Sequence, residues 1–483
     1  MMTKKYLFIL VLWTNAIMCY SVPLNEVLNV YIKNAPIVKS ITYKYQNTNL
    51  EYENYLKSFL PSISFELSPM SLNRSFRLLQ NPVTGDYSYV NDYSNSSSAG
   101  FTISQKVGIT GGSFSLSSNL GFLREFSADR NSFNTSPLYL SYSQPLYGEA
   151  KLYRYNKAIQ NLKHELAKKE FCNSMSSEQQ KILSLYLRAY ISKLQYEVNQ
   201  QNMQTGDTLL RLAGKKLEHG IITKYEYNQI ELQQLKTAQN VVTQERSYHD
   251  LLISLAMELG TDNVEVEQPD GSSLPISMDY NSVLSLVHQN NPQYLSVEMQ
   301  RKQAEYSRLQ TRNSLRFNGN VSLSFGMNQY GETLRDAYRH PEQRQALAVT
   351  FSIPVFQWGI NHNKRQMAEN EYMASMLEIE RTEKEFENSI RTQVEGYNTC
   401  YKNYILANKT FELSREQYQL TVKKFAAGKI SVYEVTSAYS SLLSSMIDYA
   451  SSLQNVYSEY YALRHLALYD FVENASLENI YFQ

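Results

Sequence analysis

The chain has 483 residues, with 46 Lys and Arg against 46 Asp and Glu, so its formal net charge is zero. That balance excludes the basic surface that nucleic-acid binding requires, and the length allows two or three ordinary domains or one large unusual one. The 39 tyrosines outnumber all other aromatics and suit places that are half apolar and half wet, such as membrane interfaces and oligomer seams.

In "MMTKKYLFILVLWTNAIMCYS", Lys4 and Lys5 precede an apolar run from Tyr6 to Trp13, and Cys19-Tyr20-Ser21 forms a small-x-small cleavage site. This predicts a secretory signal over residues 1–21, cut after Ser21. An anchor helix needs about 20 apolar residues, more than this run supplies. Cys19 offers a site for lipid attachment, although Met18 and Ala16 fit the usual lipobox poorly. Cys172 and Cys400 sit inside helical patterns and read as buried small apolar residues, not a disulfide framework. No later segment is apolar enough for a spanning helix, so a membrane-embedded form requires a closed barrel.

The first repeat, 22–262, opens with a helix at "KNAPIVKS" (Pro36). Ile63, Phe65 and Leu67 then alternate with polar residues, as do Leu138, Leu140 and Tyr142. Between them "FTISQKVGITGGSFSLSSNLGF" (101–122) reads as a hairpin around a glycine turn. Period-two alternation with small polar residues on one face fits a barrel wall with lipid outside and water inside. A soluble half-buried sheet is the rival reading.

After "SYSQPLYGEAKLYRYNKA", a proline-free tract (146–268) predicts one helix from near 148 to 218. At 1.5 Å per residue it would run about 100 Å. In "KKLEHGIITKYE" (215–226), Gly220 closes this helix in the left-handed conformation, and Thr223 to Glu226 has capping-box spacing for a return helix of about 40 residues. A linker occupies 263–278.

The second repeat, 279–470, writes the same order again. "QNNPQYLS" (Pro292) echoes "KNAPIVKS", and Val321, Leu323, Phe325 and Met327 alternate, followed by Leu347, Val349, Phe351, Ile353 and Val355. "TFSIPVFQWGINHNKRQMA" matches Pro354 to Pro145 and Phe356 to Tyr147. The next helix, near 358 to 426, carries a stripe through Met376, Ile379, Phe386, Ile390, Val394, Tyr397, Tyr401 and Tyr404, read as a core or coiled-coil seam. "KKFAAGKISVYE" (423–434) repeats the tip phrase, with Gly428 and the Ser431 to Glu434 box. Order and spacing together mark an internal duplication. Residues 471–483 form a tail whose "ENIYFQ" (478–483) resembles a cut protease tag.

Carried by "QPLYGE", "IPVFQWG", the two tips and the duplicated order, the chain resembles the TolC-like outer membrane efflux protein family over about residues 24–470. The resemblance implies a mixed fold of membrane β-barrel and long α-helical barrel in a homotrimer, with about four strands per protomer in one shared barrel. The 101–122 hairpin leaves room for more. It also implies an outer membrane location, a tunnel reaching into the periplasm, and tips that meet a periplasmic adaptor protein and an inner-membrane pump of the RND or ABC class. The expected function is a passive exit duct of a tripartite efflux or type I secretion system, for drugs, ions, peptides or proteins. Its partners would be other copies of the chain, adaptor, pump and outer membrane lipid, with no nucleic acid and no cofactor.

Glu226 and Glu434 match the family's tip carboxylates; as rings they would bias the entrance toward cations, and as third helical residues they cap their helices. Lys215, Lys216, Lys423 and Lys424 complement helix C-termini or touch the adaptor, and Gly220, Ile222, Gly428 and Ile430 form the docking edge. Catalysis finds no support. The seven histidines lack metal-ligand spacing, and "GITGGS" (108–113) opens no helix, so the chain reads as no enzyme. An exported coiled-coil structural or adhesion protein without a pore is the alternative; it explains the helices but not the alternating strands.

Overall fold

The computed structural model describes residues 21–29, 33, 35–80, 85–126, 129–262 and 264–482. The expected leader, with Cys19, lies outside them apart from Ser21. In chain order the elements are β1 (Ser21–Val22), α1 (Leu24–Asn29), α2 (Pro36–Lys57), β2 (Ser62–Gln80), β3 (Tyr87–Val107), β4 (Gly112–Glu125), β5 (Arg130–Pro145), α3 (Glu149–Glu218) and α4 (Lys224–Leu259). After β6 (Glu265–Val266) and one 3-10 turn at Gly271–Ser273 come α5 (Tyr280–Asn290), α6 (Pro292–Ser314), β7 (Asn318–Gly331), α7 (Asp336–Arg339) and β8 (Glu342–Ser352). The chain continues through α8 (Ile360–Ala426), α9 (Val432–Ala467), β9 (Tyr469–Asp470), β10 (Ala475–Ser476) and α10 (Leu477–Tyr481). Both long helices and both return helices fall where the proline-free tracts place them.

Two units divide the chain. One comprises Gln46–Ala167 and Gln293–Lys384. It holds a six-stranded sheet in the order β2-β3-β4-β5-β7-β8, antiparallel throughout. The sheet joins the two repeats at β5 and β7, where Tyr142 lies opposite Leu323. Because side chains alternate across a strand, its two faces differ in chemistry. Ile63, Phe65, Phe101, Ile103, Leu116, Leu140, Leu323, Val349 and Phe351 share one face. Ser62, Ser104, Ser115, Ser141, Asn320, Ser322 and Ser352 share the other.

The glycine-turn hairpin is a complete pair of sheet strands. It reaches from Tyr87 to Glu125, and so accounts for six strands where the resemblance implied about four. Its turn lies beside the start of α3: a side chain at Gly108 would strike the Tyr153 ring, and one at Gly111 would strike Glu149. No helix among the described residues is long and apolar enough to cross a membrane.

The second unit comprises the segment ending at Tyr45, Lys168–Pro292 and the chain from Glu385 onward. Its helices pack through Ile182, Leu183, Leu187, Leu255, Leu259, Ile390 and Leu453, all at most 2% exposed. The stripe read from sequence is buried here at Ile390, Val394, Tyr397, Tyr401 and Tyr404, while Phe386 is half-buried. Much of the tyrosine excess belongs to this core, not to a membrane interface: Tyr186, Tyr190, Tyr397, Tyr404, Tyr418, Tyr439, Tyr449, Tyr457, Tyr460 and Tyr461 are all buried. A tyrosine fills a thin helical seam and still reaches a polar partner at its edge. The Tyr186 hydroxyl accepts from the Glu267 backbone N–H at 2.9 Å, the Tyr397 hydroxyl donates to the Pro275 carbonyl, and Tyr439 shares a hydrogen bond with Thr237 at 3.0 Å. The first two bonds tie the linker to the long helices. Cys172 is buried as expected, but Cys400 is only partly so.

The tail set aside as a tag is structured. Leu477 is fully buried against Cys172 and Leu468, with Ile480 and Tyr481 beside them. Glu478 pairs with Lys168 at 2.5 Å, and the Phe482 ring lies 5.2 Å from Phe171. At the centre of this region Arg464 donates through Nε to Asp470 Oδ2 at 2.7 Å and through Nη1 to Gln179 Oε1 at 2.5 Å. Gln179 also accepts from the Tyr481 hydroxyl at 2.5 Å and donates to the Leu28 carbonyl at 2.8 Å.

Candidate functional site: the paired helical tips

Each tip is a helix end, a glycine and a capped helix start. Gly220 has φ of 67° and Gly428 has φ of 74°, the left-handed region that other residues enter at a cost. The Ile221 N–H reaches back to the Lys216 carbonyl at 2.8 Å, and the Lys429 N–H to the Lys424 carbonyl at 3.0 Å. These six-to-one bonds mark a Schellman close, which occupies carbonyls that a helix end leaves without partners. Neither glycine has another atom within 4 Å of where a Cβ would stand. Their need for glycine is therefore conformational, not steric.

The return helices start as their spacing predicts. Thr223 Oγ1 accepts from the Glu226 N–H at 3.2 Å, and Glu226 Oε2 accepts from the Thr223 N–H at 2.7 Å. Ser431 and Glu434 repeat this reciprocal box at 3.4 and 2.8 Å. Backbone N–H donation from Thr223 and from Ser431 is the main reason both carboxyls titrate below their ordinary range, and Lys424 adds to it at Glu434. Both carboxylates are charged at neutral pH while they cap.

The four lysines separate in role. Lys215, Lys423 and Lys424 are exposed. Lys216 turns inward and donates to the Phe425 carbonyl at 2.7 Å, with its ammonium 4.1 Å from the centre of the Phe425 ring. Phe425 is 1% exposed, and its carbonyl already accepts from the Gly428 N–H at 3.0 Å, so one cation adds a second donor in the last turn of α8 and holds the two tips together. Sequence spacing does not show this contact, because it joins positions 209 apart.

Ile222 and Ile430 are partly buried, whereas Gly220 and Gly428 are exposed. The outermost apolar groups are others: Ile221, Tyr225 and Tyr433 are 67%, 72% and 75% exposed. The tyrosines stand directly before the capping glutamates in both copies of the phrase, and that repetition was their signal in the sequence. Among the described residues, no group of three or more His, Cys, Asp and Glu side chains is placed to hold a metal.

A family model described as outer membrane efflux protein matches residues 283–467, the greater part of the second repeat. No curated protein matches the sequence. The fold is similar to that of a membrane protein from Pseudomonas aeruginosa, with a TM-score of 0.67 and 11% identity, covering 94% of this chain and 92% of that one. It is also similar to the Campylobacter jejuni CmeC outer membrane channel, with a TM-score of 0.64 and 14% identity over 92% of this chain and 85% of that one. The open state of the Neisseria gonorrhoeae MtrE outer membrane channel gives a TM-score of 0.58 and 13% identity, covering 92% and 88%. The family match lies in the second repeat, and the first repeat builds the same plan again, so the likeness to outer membrane efflux proteins extends, as a likeness of fold, over nearly the whole chain.

Proposed function

We propose that the chain is the passive exit duct of a tripartite efflux or type I secretion assembly. It would work as a homotrimer, taking drugs, ions, peptides or proteins from an inner-membrane pump through a periplasmic adaptor. The observation that carries this reading is the sheet. One face is apolar, the other is lined by Ser and Asn, and β2 and β8 are left as its two edges. In lipid an open sheet edge leaves backbone groups unsatisfied, so such a sheet must close on something. Three copies supply about eighteen strands, enough to enclose water. A coiled-coil adhesin without a pore gives no reason for a sheet with two such faces. Family members are channels and not enzymes, and the tips bind or gate without bond chemistry.

Single-particle electron microscopy of detergent-extracted protein tests the assembly. The expected result is a three-fold particle with one barrel and a tunnel of roughly 100 Å, as the helix lengths require. A monomer, or a rod without a barrel, would remove the duct.

The two roles of the tip carboxylates separate by substitution. Glutamine can still accept in a capping box but carries no charge. The double variant Glu226→Gln/Glu434→Gln is expected to keep its thermal stability yet lose cation preference in planar bilayers. An unchanged preference would leave capping as their only role.

A further inference from the structure

Arg308, Arg312 and Arg316 stand four residues apart where α6 approaches the sheet, a spacing that sets them along one helical face. The Leu315 N–H donates to the Thr311 carbonyl and the Arg316 N–H to the Asn313 carbonyl, so the turn carries on as far as Arg316. Ring contacts show which side of the sheet the row meets. The Arg316 guanidinium lies 5.2 Å from the centre of the Tyr147 ring, Tyr147 lies 5.9 Å from Phe317, and Phe317 lies 6.4 Å from Phe351. Phe351 belongs to the apolar face. The arginine row therefore descends from the rim of the apolar face and not from the serine face.

Below Arg316 the row meets a cavity of about 260 Å³, lined by Lys151 and Tyr155 of α3, Glu305, Arg308 and Arg312 of α6, and Tyr372 of α8. Arg308 is already engaged: it pairs with Glu369 at 3.0 Å and lies 4.4 Å from the centre of the Tyr372 ring. Glu305 is hydrogen-bonded by the Tyr155 hydroxyl. Lys151 and Arg312 are exposed and have no ion-pair partner among the described residues. The wall thus carries three cations against one carboxylate, in a chain whose charges balance overall. Like charges around one cavity repel one another until an anion joins them. Depth points to the source of that anion. Arg312 comes six residues before β7 and Lys151 six residues after β5, roughly 10 Å from the sheet for helix and turn backbone. The polar layer beyond a bilayer's hydrocarbon is about 5–8 Å deep, and long cationic side chains reach up into it.

We propose that this cavity binds the phosphate of a glycerophospholipid, whose acyl chains lie over Tyr147, Phe317 and Phe351. The proposal rests on the duct reading, in which the apolar face meets lipid, and adds a fixed lipid to it. Arg312 supplies a planar fork to the phosphate oxygens, and Lys151 adds a point charge from the neighbouring helix. A headgroup held between α3, α6 and α8 ties the start of the helical wall to the plane of the membrane.

Native mass spectrometry of the full-length protein, titrated with phosphatidylglycerol in detergent, tests this. Wild type is expected to retain the lipid, and Lys151→Gln/Arg312→Gln to bind it about thirtyfold more weakly, as the loss of two cations beside an anionic lipid implies. Lys236→Gln/Lys402→Gln makes the same change of net charge at exposed positions of α4 and α8 and should bind as wild type does. Millimolar inorganic phosphate should not displace the lipid. Undiminished binding by the Lys151→Gln/Arg312→Gln variant, or an equal loss in the control, overturns the site. Displacement by inorganic phosphate overturns the lipid as its ligand. Each of these results leaves the duct standing, whereas a particle without a barrel overturns both.

Discussion

Arg464→Met is expected to destabilise the helical unit by about 3–5 kcal/mol, the usual effect of stranding one partner of a buried ion pair. Arg464 is 2% and Asp470 8% exposed, so the carboxylate left behind would have little water to recover. The same change removes a donor from Gln179, which receives α10 through Tyr481 and holds α1 through the Leu28 carbonyl. Hydrogen exchange should therefore rise in α1 and α10 together, and the urea midpoint should fall. Arg464→Met/Asp470→Leu removes both charges and should recover most of the loss. If the double variant is as unstable as the single one, packing and not charge holds this region.

The pair also has a defined pH signature. Burial alone raises the Asp470 carboxyl. The Arg464 guanidinium, the Glu473 N–H and the Tyr460 hydroxyl outweigh it and bring the group below the ordinary carboxylate range. A folded value depressed below the unfolded one, about 3.9, contributes stability that is complete above the unfolded value. That contribution is lost as pH falls through the folded value. The gap between wild type and Arg464→Met should thus be constant near neutrality and narrow only in acid.

Gly428→Pro should leave the protein inserted in the outer membrane but abolish export. Proline fixes φ near −65°, against the 74° required here, and deletes the N–H that donates to the Phe425 carbonyl at 3.0 Å. The cost is about 3 kcal/mol or more, concentrated where α8 turns into α9. Gly428→Ala adds a methyl that meets no atom within 4 Å, so only the left-handed conformation opposes it, at roughly 1–2 kcal/mol. Export is expected to fall partly with alanine and fully with proline, while heat-modifiable migration on gels stays normal for both. Normal export in the proline variant would remove the tips from the mechanism.

Legibility followed the strength of local signals. Proline-free tracts, left-handed glycines and capping boxes act within a few residues, so α3 and α8 were readable to within two residues, while α4 and α9 are 36 residues long against an expected length of about 40. β3 was readable only where Phe101 and Ile103 alternate with polar residues. Its first half, "YSYVNDYSNSSSAG", is a strand because β2 and β4 pair with it, not because of its own pattern. The packing of the tail was not legible for another reason: "ENIYFQ" has the look of a processing site, and the burial of Leu477 beside it is a tertiary contact that no local pattern records. At the tips, glycines and glutamates were found from spacing, but the Lys216 contact with Phe425 was not, since nothing local records which helix ends meet.

In the duct reading, the serine face of the sheet governs friction. Its polar groups already bond to one another: Ser62 to Ser104 at 2.9 Å, Ser115 to Ser141 at 2.6 Å, Ser143 to Asn320 at 3.1 Å, and Asn320 to Ser322 at 2.9 Å. A group whose bond is made inside the wall gains little from a passing solute. Residence times along this stretch should be short and nearly independent of what is passing. Such a surface lubricates, and the discrimination between cargoes falls to whatever loads the other end.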